Sequence, residues 1–172
     1  LNAIASDPFS DARRLEDGEM DMAVSVATAG PRWLEREVLT TMPLVTLWHP
    51  QQLKLSPPLS IETFAAQRHL MVSYREATSS HIDTLLAKAG HQRSLCYTTP
   101  HFAAIAGLLS RLPALSTVPE GIAADWQRLW GLESSPLPLE SEPFEVALLW
   151  HQRHSSDPAV MWLKNFIQHL IN

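Results

Sequence analysis

Pro43-Leu44-Val45-Thr46-Leu47-Trp48-His49-Pro50 and Phe144-Glu145-Val146-Ala147-Leu148-Leu149-Trp150-His151 are two strongly apolar strand-length stretches of the chain, and both carry the tripeptide Leu-Trp-His toward their ends. A short apolar run bounded by proline reads as a strand buried on both faces. Residues 42–48 and 144–150 are therefore read as the strands by which the chain leaves one cluster of elements and returns to it.

Outward from this pair, the elements alternate. Leu1-Asn2-Ala3-Ile4-Ala5 has the loose alternation of a half-buried strand, and Ser6-Asp7-Pro8 breaks it. Residues 11–18 read as a short helix capped by Asp7 or Ser10 and closed by Gly18. Residues 20–26 form a second strand, so this β-α-β unit predicts a parallel sheet with crossover helices. Gly30-Pro31 marks a loop, and residues 34–39 are a weak strand. Past Trp48 the chain turns polar, with Ser56-Pro57-Pro58 as the best boundary or hinge. A second alternating set follows: helices over 60–66, 79–89, 101–112 and 122–130, with strands over 70–74, 94–98 and 115–118. Ser60 caps the first of these helices, Ile82, Leu85, Leu86 and Ala89 face the core in the second, and Gly131 stops the last. Proline-bearing residues 135–143 form a second crossing segment. Asp157-Pro158 caps and starts a final amphipathic helix. The sum is a two-lobe α/β body with a doubly crossed waist, residues 1–49 and 145–172 in one lobe and 50–144 in the other. Clefts between such lobes hold small ligands.

Composition narrows the function. At 172 residues, with 45% hydrophobic and 18% charged, the chain has material for a real core and too little charge for disorder. A net charge of −5 with only 13 Lys plus Arg, none clustered, argues against nucleic-acid binding by this polypeptide. The single cysteine, Cys96, has no internal partner, which fits a reducing, cytoplasmic compartment. Apolar runs fall short of a membrane span, and no signal peptide opens the chain. Since the first residue is Leu, the sequence reads as a fragment or a processed product.

Several stretches, in order, resemble the effector-binding domain of LysR-type transcriptional regulators. Leu15-Glu16-Asp17-Gly18-Glu19-Met20-Asp21-Met22-Ala23-Val24 is similar to that family's L-x-x-G-E-L-D-L-A-I stretch. Pro43 to Pro50 resembles its strand ending in His-Pro at the lobe crossover. Thr99-Pro100-His101-Phe102-Ala103-Ala104 resembles the segment that opens a helix at the cleft. Ala114-Leu115-Ser116-Thr117-Val118-Pro119-Glu120-Gly121-Ile122-Ala123 resembles I-A-x-L-P-x-x-L-A. The strand at 144–150 with Asp157-Pro158-Ala159-Val160-Met161-Trp162-Leu163 resembles the return strand and terminal helix. The Leu-Leu-Trp-His and Asp-Pro ending is most like regulators of aromatic ligands.

The resemblance implies two Rossmann-like lobes of the type 2 periplasmic-binding-protein kind, joined by two crossover strands. It also implies side-by-side homodimers or higher oligomers. Contact with DNA would be made only through an N-terminal helix-turn-helix domain that is not in this sequence. The first strand and helix of the regulatory domain are also missing from the pattern. The expected result is an exposed apolar sheet edge and a fragment that aggregates or re-pairs.

The candidate ligand-binding residues are Ser73, Tyr74, His101, Phe102, Thr28, Thr99 and Thr117. Ser73 and Tyr74 end a strand before a helix, the ligand-facing end of a parallel α/β lobe; plain turn chemistry is the alternative. Thr98, Thr99, His101 and Phe102 lie at a strand-to-helix junction, where free N–H groups and the helix dipole attract carboxylates. Against this, His101 reads equally as a surface cap residue and Phe102 as core. Thr28, with Ser25 and Val26, ends the strand of the first lobe, and Thr117 ends one in the second. Trp48 and Trp150 line a cleft floor or, more commonly for tryptophan, fill core.

Catalysis has no constellation here: there is no G-x-S-x-G elbow, Walker loop or G-x-G-x-x-G, and Cys96 falls mid-strand. Acidic pairs such as Asp7/Asp11 read as solvated. No cofactor is called for. His151 and His154 have i, i+3 spacing but no cysteine partner or H-E-x-x-H context, so loop histidines are expected and a metal is not. The reading is an effector sensor for a small aromatic or carboxylate molecule, working by population shift between two arrangements. A free-standing periplasmic-type solute-binding protein is the alternative, since fold alone does not separate the two.

Overall fold

In the computed structural model, residues 1–26, 30–74 and 79–171 are described. The chain divides into two compact units, Leu1–Thr41 with Phe144–Asn172, and Met42–Pro143.

The first unit is built on a three-stranded sheet in the order β1-β8-β2, with β1 at Met22–Ser25, β2 at Leu34–Met42 and β8 at Phe144–His151. β1 and β8 run antiparallel, Met22 opposite Trp150 and Val24 opposite Leu148. Helix α1 (Asp11–Glu16) buries Leu15 against Ala23, Ala147 and Leu149. Helix α6 (Pro158–Ile171) covers the other face, where Val160 packs with Leu148 and Trp150. Asp157 caps α6 as expected, its Oδ1 accepting from Ala159 N at 2.8 Å. Glu37 on β2 holds the far end of the helix through Lys164 Nζ at 2.5 Å and Gln168.

The second unit is a five-stranded mixed sheet, β5-β4-β6-β3-β7. Its strands are β3 (Leu44–Trp48), β4 (Arg68–Val72), β5 (Ser94–Thr99), β6 (Leu115–Pro119) and β7 (Glu133–Pro136). β4 is parallel to β5 and β6, while β3 is antiparallel to β6 and β7. Helices α2 (Ile61–Ala66), α3 (His81–Lys88), α4 (Phe102–Leu109) and α5 (Glu120–Trp130) form where predicted. Ser60 Oγ accepts from Thr63 N to cap α2, and α3 carries a full capping box of Ser80 and Asp83. Gly131 closes α5 at φ 64°, a left-handed turn that glycine enters at no steric cost. One apolar layer gathers Val45, Leu47, Leu70, Ile105, Leu109 and Val118; the other gathers Trp48, Leu59, Phe64, Ile82, Leu86 and Leu115.

Three expectations are corrected and one alternative is resolved. The first is the boundary: it lies after Thr41 and before Phe144, not after His49. Residues 44–48 belong wholly to the second unit because both ladders of β3 are made there, with β6 and β7. Second, of the two readings of Trp48 and Trp150, the one commoner for tryptophan, core, holds: Trp48 is completely buried, and Trp150 packs on Val160 while its indole N–H donates to Ser155 Oγ at 3.1 Å. Third, residues 1–5 form no strand, and the first unit has an antiparallel β1–β8 pair in place of a parallel β-α-β sheet. Fourth, Asp11 is buried, its carboxylate accepting from Ser6 Oγ at 2.8 and 2.7 Å and from Asp7 N at 3.1 Å.

His69 on β4 is a buried titratable group. Its Nε2 lies 2.8 Å from the Phe64 carbonyl oxygen, and its ring meets the Phe64 ring edge-on at 4.5 Å. Burial, helped by the Arg93 charge and opposed by the Phe64 carbonyl, lowers its pKa from 6.5 to about 4. Between those values the unfolded chain holds the extra proton, so stability falls as pH drops from 6.5 toward 4. The expected contribution is a loss of about 2 kcal/mol between about pH 7.5 and 5. Urea unfolding at both pH values measures it, and His69→Gln, which does not titrate, is expected to flatten that part of the profile.

Candidate functional site

The carboxyl ends of the parallel strands β4, β5 and β6 all fall at one edge of the second unit's sheet, the end at which open α/β sheets bind ligands. Ser73 follows β4 directly and extends its ladder, its N–H donating to the Thr99 carbonyl at 2.9 Å. Thr99 closes β5, is 7% exposed, and its Oγ1 accepts from His101 N at 3.2 Å. This bond turns the chain into α4, at whose N-cap His101 sits with an extended backbone and no side-chain cap bond.

Side-chain alternation sorts these residues by face. His69, Met71 and Ser73 share one face of β4. His69 is beside Leu115 in the β4–β6 register, so Leu115 and Thr117 share that face of β6. Thr117 stands directly opposite Thr46 of β3. Ser73 Oγ, Thr117 Oγ1 and Thr46 Oγ1 are all buried and have no hydrogen-bond partner among the described residues. Three adjacent strands thus present three unanswered hydroxyls on the face that carries Trp48, Phe64 and Leu115. A buried hydroxyl left unpaired costs about 1–3 kcal/mol, and three on one face form a ready set of donors and acceptors. Thr46 was missed in the sequence because it sits inside an apolar run; its place opposite Thr117 needs the antiparallel register.

The other candidates separate. His101 is exposed at the start of α4. Phe102 packs on the Leu109 and Val118 cluster, so the core account applies. Tyr74 is 41% exposed at the chain's turn after β4. Thr98 is exposed, and Thr99 is buried. Ser25 is buried at the end of β1 in the first unit. Thr28 lies outside the described residues.

The histidine pair is structural. His151 stacks on Trp33 at 4.5 Å, and its Nδ1 accepts from Arg153 N at 3.0 Å. Desolvation and the Arg153 and His154 charges lower its pKa. His154 Nε2 accepts from Arg153 Nε at 3.0 Å, while the same guanidinium reaches the Leu15 and Glu16 carbonyls at 3.0 and 3.1 Å. These bonds satisfy the carboxyl end of α1. Among the described residues no group of His, Cys, Asp and Glu has the makings of a metal site. Cys96 Sγ donates to the His69 carbonyl at 3.4 Å.

Residues 3–171 match the family model described as the LysR substrate binding domain. The transcriptional activator NagR of a Ralstonia species is 26% identical over 92% of this chain and 52% of its own length. The chain spans about half the length of the curated relatives it matches. Among solved structures, the regulatory domain of MexT, a transcriptional activator in Pseudomonas aeruginosa, aligns at a TM-score of 0.79 with 25% identity. That alignment covers 92% of this chain and 76% of that one. The effector-binding domain of QuiR in complex with shikimate shares the fold, at a TM-score of 0.66 and 18% identity over 92% of this chain and 75% of that one. These likenesses lie with regulators and not with a free-standing solute-binding protein.

Proposed function

The chain belongs to the LysR substrate-binding domain family, and on that footing we propose that it is the effector-sensing part of a LysR-type transcriptional regulator. It recognises a small aromatic or carboxylate molecule through Ser73, Thr117 and Thr46, with His101 and the free N–H groups at the start of α4 taking an anionic group. The observation that carries this reading is the set of three buried, unpartnered hydroxyls that Ser73 after β4, Thr117 of β6 and Thr46 of β3 present on one face of the sheet. QuiR, a fold relative, is seen with shikimate, a carboxylate. Tyr74 borders the same strand end, and Thr99 positions α4 and does not itself face the ligand. The sensing part acts inside a homodimer or higher oligomer in the cytoplasm, and DNA contact belongs to a helix-turn-helix portion outside these residues. No helix among the described residues is long and apolar enough to cross a membrane.

The test pairs affinity with stability. Benzoate and shikimate serve as probes, followed by thermal unfolding and tryptophan fluorescence. Binding is expected to raise the melting temperature. Thr117→Val removes one neutral hydrogen bond and is expected to weaken binding about tenfold. The same variant removes an orphan polar group, so without ligand it is expected to be as stable as the parent or up to about 1 kcal/mol more stable. Loss of stability in Thr117→Val, with affinity unchanged, would place the hydroxyl in the fold and not in the site. Ser73→Ala is expected to behave alike, and His101→Ala to weaken carboxylate binding selectively.

A further inference from the structure

The tripeptide Leu-Trp-His occurs twice, and each time its histidine closes the turn that follows. His49 Nδ1 accepts from Gln51 N at 3.2 Å, and His151 Nδ1 accepts from Arg153 N at 3.0 Å. The second turn does more. Its Gln152 N–H donates to the Trp33 carbonyl at 2.9 Å, and the His151 ring lies flat on the Trp33 indole, 11° from parallel. Its Arg153 guanidinium donates to the Leu15 and Glu16 carbonyls at the carboxyl end of α1, and at the same time to His154 Nε2. A Cβ at Gly18 would come within 3.4 Å of Arg153 Nη2, so the loop after α1 lies against the same guanidinium. The end of β8, the residue before β2 and the end of α1 thus meet on one arginine bonded to two histidines.

Both histidine contacts demand neutral imidazoles. A backbone N–H and a guanidinium N–H only donate, so His151 Nδ1 and His154 Nε2 accept, and each ring carries its single proton on the other nitrogen. A second proton on either ring sets donor against donor at 3.0 Å and places an imidazolium beside a guanidinium. The groups around His151 act in the same sense: desolvation and the Arg153 and His154 charges lower its pKa from 6.5, opposed by Glu16 of α1. The open turn therefore binds protons that the closed turn refuses, and closure weakens as pH falls through 6.5.

We propose that His151, Arg153 and His154 form a proton-operated clamp on α1, closed at neutral pH and released in mild acid, which gives the domain an input other than a small molecule. Release leaves the Leu15 and Glu16 carbonyls without their guanidinium donor. A helix of six residues has little stability apart from such contacts, so α1 loosens first while the β1–β8 ladder stays paired. The clamp is built within the first unit and is independent of the ligand reading.

Amide exchange of the whole chain, expressed as protection factors to remove the chemical pH dependence, reads the clamp. Between about pH 7.5 and 5.5, protection at the amides of Arg14, Asp17 and Arg153 is expected to fall about tenfold or more, while the β1–β8 ladder keeps its own. His151→Asn with His154→Gln supplies two acceptors that do not titrate, and is expected to hold α1 protection level over the same range. Arg153→Met, which has no donor to offer, is expected to show low α1 protection at both pH values. Unchanged α1 protection in the parent overturns the proposal, and so does a fall that persists in the double variant. Ring and amide NMR signals of the parent give a second reading without substitution. The Arg153 amide and Nε–H are expected to move together with the His151 and His154 rings, and Arg153 signals that stay fixed while the rings titrate also overturn it.

Discussion

Trp48→Ala is expected to remove about 3–5 kcal/mol of folding stability from the five-stranded unit. Trp48 is completely buried, packed among Leu59, Phe64, Ile82, Leu86 and Leu115 at the end of β3. Deleting the indole leaves a large cavity that α2, α3 and two strands would have to collapse upon, and packed interiors relax only in part. Urea unfolding measures the loss. Trp48→Phe is expected to restore most of it, because it refills the layer and drops an indole N–H that has no partner among the described residues. A Trp48→Ala chain within about 1 kcal/mol of the parent, with ligand affinity lost instead, would return Trp48 to the role of cleft lining.

Arg93→Met is expected to cost about 3 kcal/mol, the scale for breaking a buried ion pair from one side. The Arg93 side chain is only 2% exposed; its Nε lies 2.8 Å from Asp83 Oδ1, and its Nη2 donates to Asp83 Oδ2 at 2.9 Å and Ser80 Oγ at 3.0 Å. The one guanidinium locks the capping box of α3 to the chain leading into β5. Burial pushes the Asp83 carboxyl up, but the bonds from Arg93 and Ser80 outweigh it and hold the pKa at about 2. Since that value is below the unfolded 3.8, the pair's stabilisation is present above about pH 4 and fades as pH falls toward 2. In Arg93→Met this acid dependence is expected to shrink to what the Ser80 bonds to Asp83 still supply. Arg93→Met with Asp83→Asn is expected to recover part of the loss, because no unpaired charge stays behind.

Within the second unit the helices were legible from residues: the serine that caps α2, the glycine that closes α5, and apolar positions at helical spacing over 79–89. β7 was not. Ser134, Ser135 and Pro136 carry turn chemistry, and their pairing with Leu47, Thr46 and Val45 comes from β3 and not from their own preference. The reverse error occurred at residues 1–5, where alternation predicts a strand that has no ladder to join. Strand formation needs a neighbour, and no local signal supplies one. Ser73, read as a strand-end polar residue, does follow β4 directly, whereas Thr117, read as ending its strand, lies in the middle of β6, and Thr46 was hidden by the apolar run around it.

By itself the sequence determined the order of the helices and of most strands, the capping of α2 and α6, the family, and the acidic composition. Those properties are local or compositional, so they are written into neighbouring residues. Only the tertiary structure decided that β3 belongs to the second unit, that Trp48 is core, that Asp11 and His69 are buried, and that Thr46 faces Thr117. Each of these depends on which distant strand pairs with which, and hydrogen bonding and burial between residues far apart in the chain leave no periodic mark in either segment alone.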